Sequence, residues 1–495
     1  MVANATPGGP PQVAPTFCGL PIGSVAGQIT TLQQDLQAAT LTAGPTENIN
    51  FIGKSLSAGT SNGVALFAPN YRTPRSWQMN VGLQRELKPG TVISVDYIRN
   101  IGEHFLLGID VNHTGDTTLF NRVNAIAARD AAQTSVGCPA GSGQASCVIA
   151  AAGGTANAQF LYSSAGLDST LDVTGGPPCP FCAFPGKNPG LGSAIMLFPI
   201  GRSVYNGLQV VLHENVDHFF VPGVLHANLQ VSYSLSKFVS PGQDQDIQTL
   251  ASDKRNPLHF TGPNSLDRTH QLSAGGIFEL PKSIEVSFIA HFFSPLSQTL
   301  LLPTVTGSGE IFVSDLTGDG TTGDIVPGTN VGSFQRDVGV SQLGNVISNY
   351  NAKFARKPTP AGQVLINNRV LTLSDLQALG WVAESLPTPV PHAVGLDWLR
   401  VFDLKLSWPV KITDKLRIEP SMGVYNLFNF ANFDLPGNTQ GGVLSGTASN
   451  GQEVIAPNVV GGTDYAHRTN RATIQSGTFA LGAPRSFEWG LQFSF

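Results

Sequence analysis

Apolar and polar positions alternate with a period of two in segment after segment of this chain. Over residues 76–87, Trp77, Met79, Val81, Leu83 and Leu87 fall on one side, and Gln78, Asn80, Gly82, Gln84 and Glu86 on the other. Successive side chains of a pleated strand point to opposite faces, so the segment predicts a strand with one greasy and one wet face. Lys88-Pro89-Gly90 predicts a tight turn, and 91–99 the return strand, with Ile93, Val95 and Tyr97 on one face. The pattern recurs in three further pairs: 206–216 with 225–237, 270–280 with 284–294, and 400–411 with 416–427. The chain ends on Phe487, Trp489, Leu491, Phe493 and Phe495, separated by Glu488, Gly490, Gln492 and Ser494.

The connections alternate too. Turns of a few residues close each pair, whereas the stretches between pairs run over about 100–204, 238–269, 295–399 and 428–486. Transmembrane barrels have short periplasmic turns, long extracellular loops and strands that alternate apolar-out and polar-in. The predicted fold is therefore all-β, an antiparallel transmembrane β-barrel whose lipid partner covers the greasy faces. With tight turns at the periplasm, both 76–87 and the final strand run inward. An even strand number then requires an outward strand before Ser76: either it lies within 1–75, where 63–69, with Val64, Leu66 and Phe67, fits the pattern poorly, or it is lost. Residues 28–43 instead show helical spacing, through Ile29, Leu32 and Leu36, and predict a helix in an outer loop. Residues 1–69 are thus expected as an extracellular, partly helical or disordered loop region, and 70–495 as the barrel portion.

Composition agrees. Charged residues are 12% of the 495, about half the usual ~25% of soluble domains, and the apolar fraction is 41%. No run of 18 apolar residues could form a spanning helix, and the N-terminus shows no secretion signal. The missing strand and leader lead to the expectation that this is the C-terminal part of a longer protein. A net charge of −5 leaves no electrostatic footprint for nucleic acid. Five cysteines lie in irregular Gly/Pro/Ser-rich stretches. They predict one or two loop disulfides, with Cys138, Cys147, Cys179 and Cys182 as candidates and the pairing open. A zinc site on Cys179 and Cys182 lacks a second ligand pair.

Asp315-Leu-Thr-Gly-Asp319-Gly-Thr-Thr-Gly-Asp324 is similar to a calcium loop, with spaced oxygen ligands around a sharp bend, although Val326 stands where a bidentate Glu is required. Asp315, Asp319 and Asp324 are the candidate ligands; no other cofactor is implied. Gly59-Thr-Ser61-Asn-Gly63 matches a nucleophile elbow without strand–turn–helix context, so no enzyme is expected. His213, His270 and His291 fall at lumen-facing or strand-end positions. Asp267 and Arg268 are read as a lumen or rim ion pair, or as a hydrogen-bonded loop base. Trp77, Tyr97, Trp408 and Trp489 suit a membrane–water belt or lipid-facing bulk.

Several blocks carry a family resemblance. Asn70-Tyr-Arg-Thr-Pro-Arg-Ser-Trp-Gln-Met-Asn-Val-Gly82 resembles the opening of the later half of Oar-like TonB-dependent outer-membrane transporters. Ser232-Tyr-Ser-Leu-Ser-Lys237, Leu266-Asp-Arg-Thr-His270, Gly395–Asp403 and Tyr425–Phe433 are similar to that family's strand-end and loop motifs. The aromatic strand of Phe487, Trp489, Leu491, Phe493 and Phe495 looks like the signal read by the barrel-assembly machinery. The resemblance implies the C-terminal half of a barrel of about 22 strands with an internal plug. It further implies uptake or export of an unidentified substrate across the bacterial outer membrane, energised by the TonB system. The plug and TonB box, through which that system acts, are not recognisable here. The alternative is a surface or adhesion protein whose barrel anchors large loops.

Overall fold

The computed structural model describes residues 66–169, 179–217, 219–242, 249–303, 308–386, 398–413, 416–430, 432, 444–447, 453–455 and 485–494. Nine long strands form a single antiparallel meander in chain order: β1 (Arg75–Lys88), β2 (Thr91–Asp110), β3 (Ile195–Asp217), β4 (His226–Ser240), β5 (His270–Leu280), β6 (Ile284–Phe293), β7 (Leu399–Ser407), β8 (Arg417–Tyr425) and β9 (Ser486–Ser494). Among the described strands, β1 and β9 are the edges. The strands lie where period-two patterning placed them, because pleat geometry alone sorts their side chains onto two faces. Pro409, which has no N–H to donate, ends β7 at Ser407, and the continuation Val410–Lys411 pairs with Ile418 and Arg417 of β8.

The register sets out the outward face in rows. One row runs Val81–Tyr97–Leu208–Leu235–His270 and the next Leu83–Val95–Val210–Tyr233–Leu272–Phe292. Farther along, Phe288 faces Leu404, Leu404 faces Val424, and Val424 faces Phe487. Val81, Leu83, Phe487, Trp489, Leu491 and Phe493 are all exposed. A continuous apolar surface of this extent requires a non-aqueous neighbour.

Three expectations are corrected. β2 and β3 continue well past Arg99 and Asn206, pairing as far as Asp110 with Ile195. The stretch 100–204 is therefore partly a tall ribbon, and its irregular sequence hid the strand extension. Among the described residues of 63–69, Leu66–Phe67 is a strand, and it pairs parallel with Met196 and Leu197 of β3. It thus runs in the same direction as β3, inward, and is not an outward barrel strand. The long connections also hold helices that patterning missed: α1 (Arg122–Ser135), α2 (Ala145–Ala152), α3 (Thr155–Ser164), α4 (Val340–Lys353), α5 (Pro360–Asn367) and α6 (Leu373–Ala378). The helix expected over 28–43, together with Ser61, Cys18 and Phe495, lies outside the described residues.

Candidate functional site: a latched loop cap and a membrane belt

The connections β2–β3, β4–β5 and β6–β7 meet at one end of the sheet. The first contributes α1–α3. Asn121 caps α1 by accepting from the N–H groups of Val123 and Asn124, and Ala125, Ala128 and Ala132 form its buried stripe. The stripe is covered both from its own connection and from the third. It packs into a core with Val148, Tyr162, Leu167 and Phe184, and with Phe312, Leu365, Leu376 and Trp381 from the third connection. Trp381 is fully buried between Tyr162 (centroids 5.9 Å) and Phe312 (4.8 Å).

Polar groups lock the connections together. Asp375 of α6 accepts from Thr372 and, across connections, from the N–H groups of Gly143 (2.7 Å) and Ala145 (3.0 Å). Burial works to raise its pKa, but these donors outweigh it and hold the carboxyl below the usual range. The second connection supplies cations. Lys254 Nζ donates to the Thr114 carbonyl (2.9 Å) and lies 3.7 Å from Asp110. Arg255 grips Asp116 with two nitrogens and the Gly318 carbonyl at 2.6 Å. Burial would raise Asp116, but the Arg255 and Thr118 donors bring it down to about 2.

The structure brings Asp315, Asp319 and Asp324 together in one buried turn. All six carboxylate oxygens accept hydrogen bonds from the protein. Asp315 takes the N–H groups of Gly318 and Gly320, Asp319 those of Thr321 and Lys254, and Asp324 those of Leu316 and Thr317. Thr317 bridges Asp315 and Asp319, and Thr321 bridges Asp319 and Asp324. Burial and the neighbouring carboxylates push Asp315 well above the usual range; burial foremost brings Asp324 to about 7. Among the described residues, no group of three or more His, Cys, Asp or Glu is arranged to hold a metal ion. The turn docks against the first connection where Gly320 approaches it. A Cβ on Gly320 would sit 2.1 Å from the Thr114 carbonyl oxygen, and its φ is +84°.

On the outward face, aromatic side chains gather near both ends of the strands. Trp408, at the turn end of β7, donates from Nε1 to the Lys282 carbonyl (3.0 Å). Trp398, at the loop end, stacks on His270, which meets the Tyr233 hydroxyl at 2.8 Å. The two tryptophans are ten positions apart. That is about 33 Å along a strand and roughly 25 Å along a membrane normal at a ~40° tilt, the height of a lipid-facing band. The inner face is polar. Asn228, Gln230, Ser232, His291, Asp403 and Lys405, together with Ile277 and Ile289, line a concavity of about 640 Å³, with Ser273 and His291 in contact at 3.0 Å.

A family model described as the outer membrane beta barrel domain matches residues 9–301, more than half of the chain. The chain belongs to this family. It is a bacterial outer-membrane β-barrel domain, and lipid is the neighbour its outward rows require. Among solved structures, it is similar to the outer membrane transporter YddB from Escherichia coli (9% identity, TM-score 0.35, covering 88% of this chain and 34% of that one). It is also similar to the FrpB iron transporter from Neisseria meningitidis, F3-3 variant (8% identity, TM-score 0.31, 87% and 33%). The chain thus spans about a third of these structures' length. No curated protein matches it.

Other predicted residues of the barrel domain find clear places. Cys138 bonds Cys147, and Cys179 bonds Cys182, all within the first connection. Phe487, Trp489, Leu491 and Phe493 share the outward face of edge strand β9. Asp267 does not pair with Arg268. Arg336, 69 positions away, donates from Nε to its carboxylate (2.5 Å) and from Nη2 to its carbonyl. Arg268 instead reaches the Ser294 carbonyl (2.6 Å) and lies over Phe293. Asp267 also accepts from the Phe238 N–H at 2.6 Å, so both of its carboxylate oxygens are taken by partners other than Arg268. Patterning missed Lys254, Arg255 and Arg336, whose partners become neighbours only when the loops fold together.

Proposed function

We propose that the domain is the barrel portion of an Oar-like, TonB-dependent transporter or receptor that moves a substrate across the outer membrane. The observation that carries this reading is the latched cap. Three connections, at 111–194, 241–269 and 294–398, fold onto one another at one end of the sheet. A ligand captured at such a cap has a wetted, hydrogen-bonding surface below it on which to pass: the Ser273–His291 and Asp403–Lys405 side of the concavity. Energy would come through a plug and a TonB contact that this chain's recognisable motifs do not supply.

The test is uptake in cells. Strains carrying or lacking the gene are compared in TonB-competent and TonB-deficient backgrounds, scoring accumulation of candidate nutrients from the medium. Gene-dependent accumulation that vanishes without TonB is the expected result. Gene-dependent attachment to surfaces with identical accumulation in every background would replace it with the adhesion reading, in which the cap is a display platform.

A further inference from the structure

Toward the loop end of β2–β4 a polar row interrupts the outward face, between the apolar row Val81–Tyr97–Leu208–Leu235 and the apolar row Trp77–Ile101–Val204–Val239. One row beyond the apolar positions Val81, Tyr97, Leu208 and Leu235, the register places Met79, Arg99, Asn206 and Lys237 side by side. Four residues beyond Asn206 on β3 stands Arg202, opposite Glu103. Glu103 is itself engaged by Arg75 at 3.0 Å and by Trp77. Arg99, Arg202 and Lys237 form no ion pair among the described residues. Three unpaired cations on one facet are conspicuous in a chain where charged residues are 12%.

We propose that Arg99 and Lys237, with Arg202 above them, bind the phosphate of an anionic lipid headgroup in the outer leaflet. Depth supports the assignment. Thr91 and His226 begin β2 and β4 at the tight-turn end, and about ten tilted strand residues span the hydrocarbon. Lys237 and Asn206 then stand at the loop-side boundary and Arg99 just within it. An unpaired cation there must extend its head toward water or an anion. Adjacent strands are about 4.8 Å apart, so Arg99 and Lys237 flank Asn206 at roughly 10 Å, a span that one phosphorylated headgroup bridges. Arg offers a planar fork to phosphate and Lys a point charge. The Asn206 side chain between them is oriented by the Tyr97 hydroxyl, which donates to its Oδ1 at 3.0 Å. At the other end of the same face Lys88 is paired with Glu214 at 3.1 Å, and Arg85, in the row Arg85–Ile93–Leu212–Val231, has no second cation beside it. The patch is open to the side, so a lipid held in the plane of the membrane suits it better than a free ion. The inference rests on the loop end facing the outer leaflet and is independent of whether the barrel transports anything.

The test uses the full chain folded in detergent micelles. Native mass spectrometry would measure retention of diphosphorylated lipid A, of its dephosphorylated form and, as competitor, of inorganic phosphate in large excess. Expected is roughly tenfold or greater preference for the phosphorylated lipid, with little competition by inorganic phosphate. The preference should disappear in Arg99→Gln/Lys237→Gln and persist in Lys282→Gln. Equal retention of the two lipids by the unaltered protein overturns the proposal, and that comparison needs no variant to fold. So does full displacement by inorganic phosphate, or undiminished preference in the double variant.

Discussion

Arg255 holds Asp116 through two hydrogen bonds, 2.6 and 2.9 Å long, joining residues 139 positions apart. The same guanidinium takes the Gly318 carbonyl, so one side chain ties all three connections of the cap. Removing it with Arg255→Ala should loosen the cap by about 1–2 kcal/mol, a modest figure because the guanidinium is partly exposed and solvent screens the pair. Faster protease cleavage within 111–386, with β-sheet content unchanged, is the expected readout.

Acid should act on the same latch. The Asp116 pKa is depressed to about 2, so its contribution is complete above the ordinary carboxylate range and lost as pH falls through about 2. Asp116→Asn should therefore weaken protection of the cap at pH 7 but leave it nearly unchanged, relative to the parent, below pH ~2. An equal loss at both extremes would remove the ion pair from the explanation.

Asp324 has the opposite sign. Its folded-state pKa is raised to about 7, so its contribution is greatest below the ordinary carboxylate range and declines as pH rises through about 7. Asp324→Asn keeps an acceptor for the N–H groups of Leu316 and Thr317 while removing the charge. Hydrogen exchange of the 314–326 turn should slow relative to the parent at pH 8 and differ little at pH 5.

Trp381 anchors the cap and not the sheet. Truncation to Ala should destabilise the cap by about 3–5 kcal/mol, the usual range for a fully buried large aromatic. Heat-modifiable migration of the barrel in gels should persist. Loss of both together would show that cap and barrel unfold as one unit.

The five tryptophans give a direct probe of the lipid boundary. Brominated acyl chains should quench Trp77, Trp398, Trp408 and Trp489, which are exposed on the outward side, and spare the buried Trp381. Single-tryptophan variants read by fluorescence separate them. Uniform resistance to quenching would mean that protein covers the greasy rows.

The membrane-facing half of this molecule is legible in its residues because strand geometry is local. A pleat sends Trp77, Met79, Val81 and Leu83 to one side whatever the rest of the chain does, and the short turns set the pairing register. The acidic turn was visible too, though not its role: Asp319 meets Lys254 only because two distant loops converge. The cap was not legible for the same reason. The alanine stripe of α1 looks like weak, unremarkable sequence until it joins a core that Trp381 and Leu376 of the third connection share. Asp267 had an arginine beside it and took one 69 positions away, since backbone direction, not proximity along the chain, determines where a short side chain can reach. Period and turn chemistry act over a few residues; burial and ion pairing act over whatever folding brings within a few ångströms.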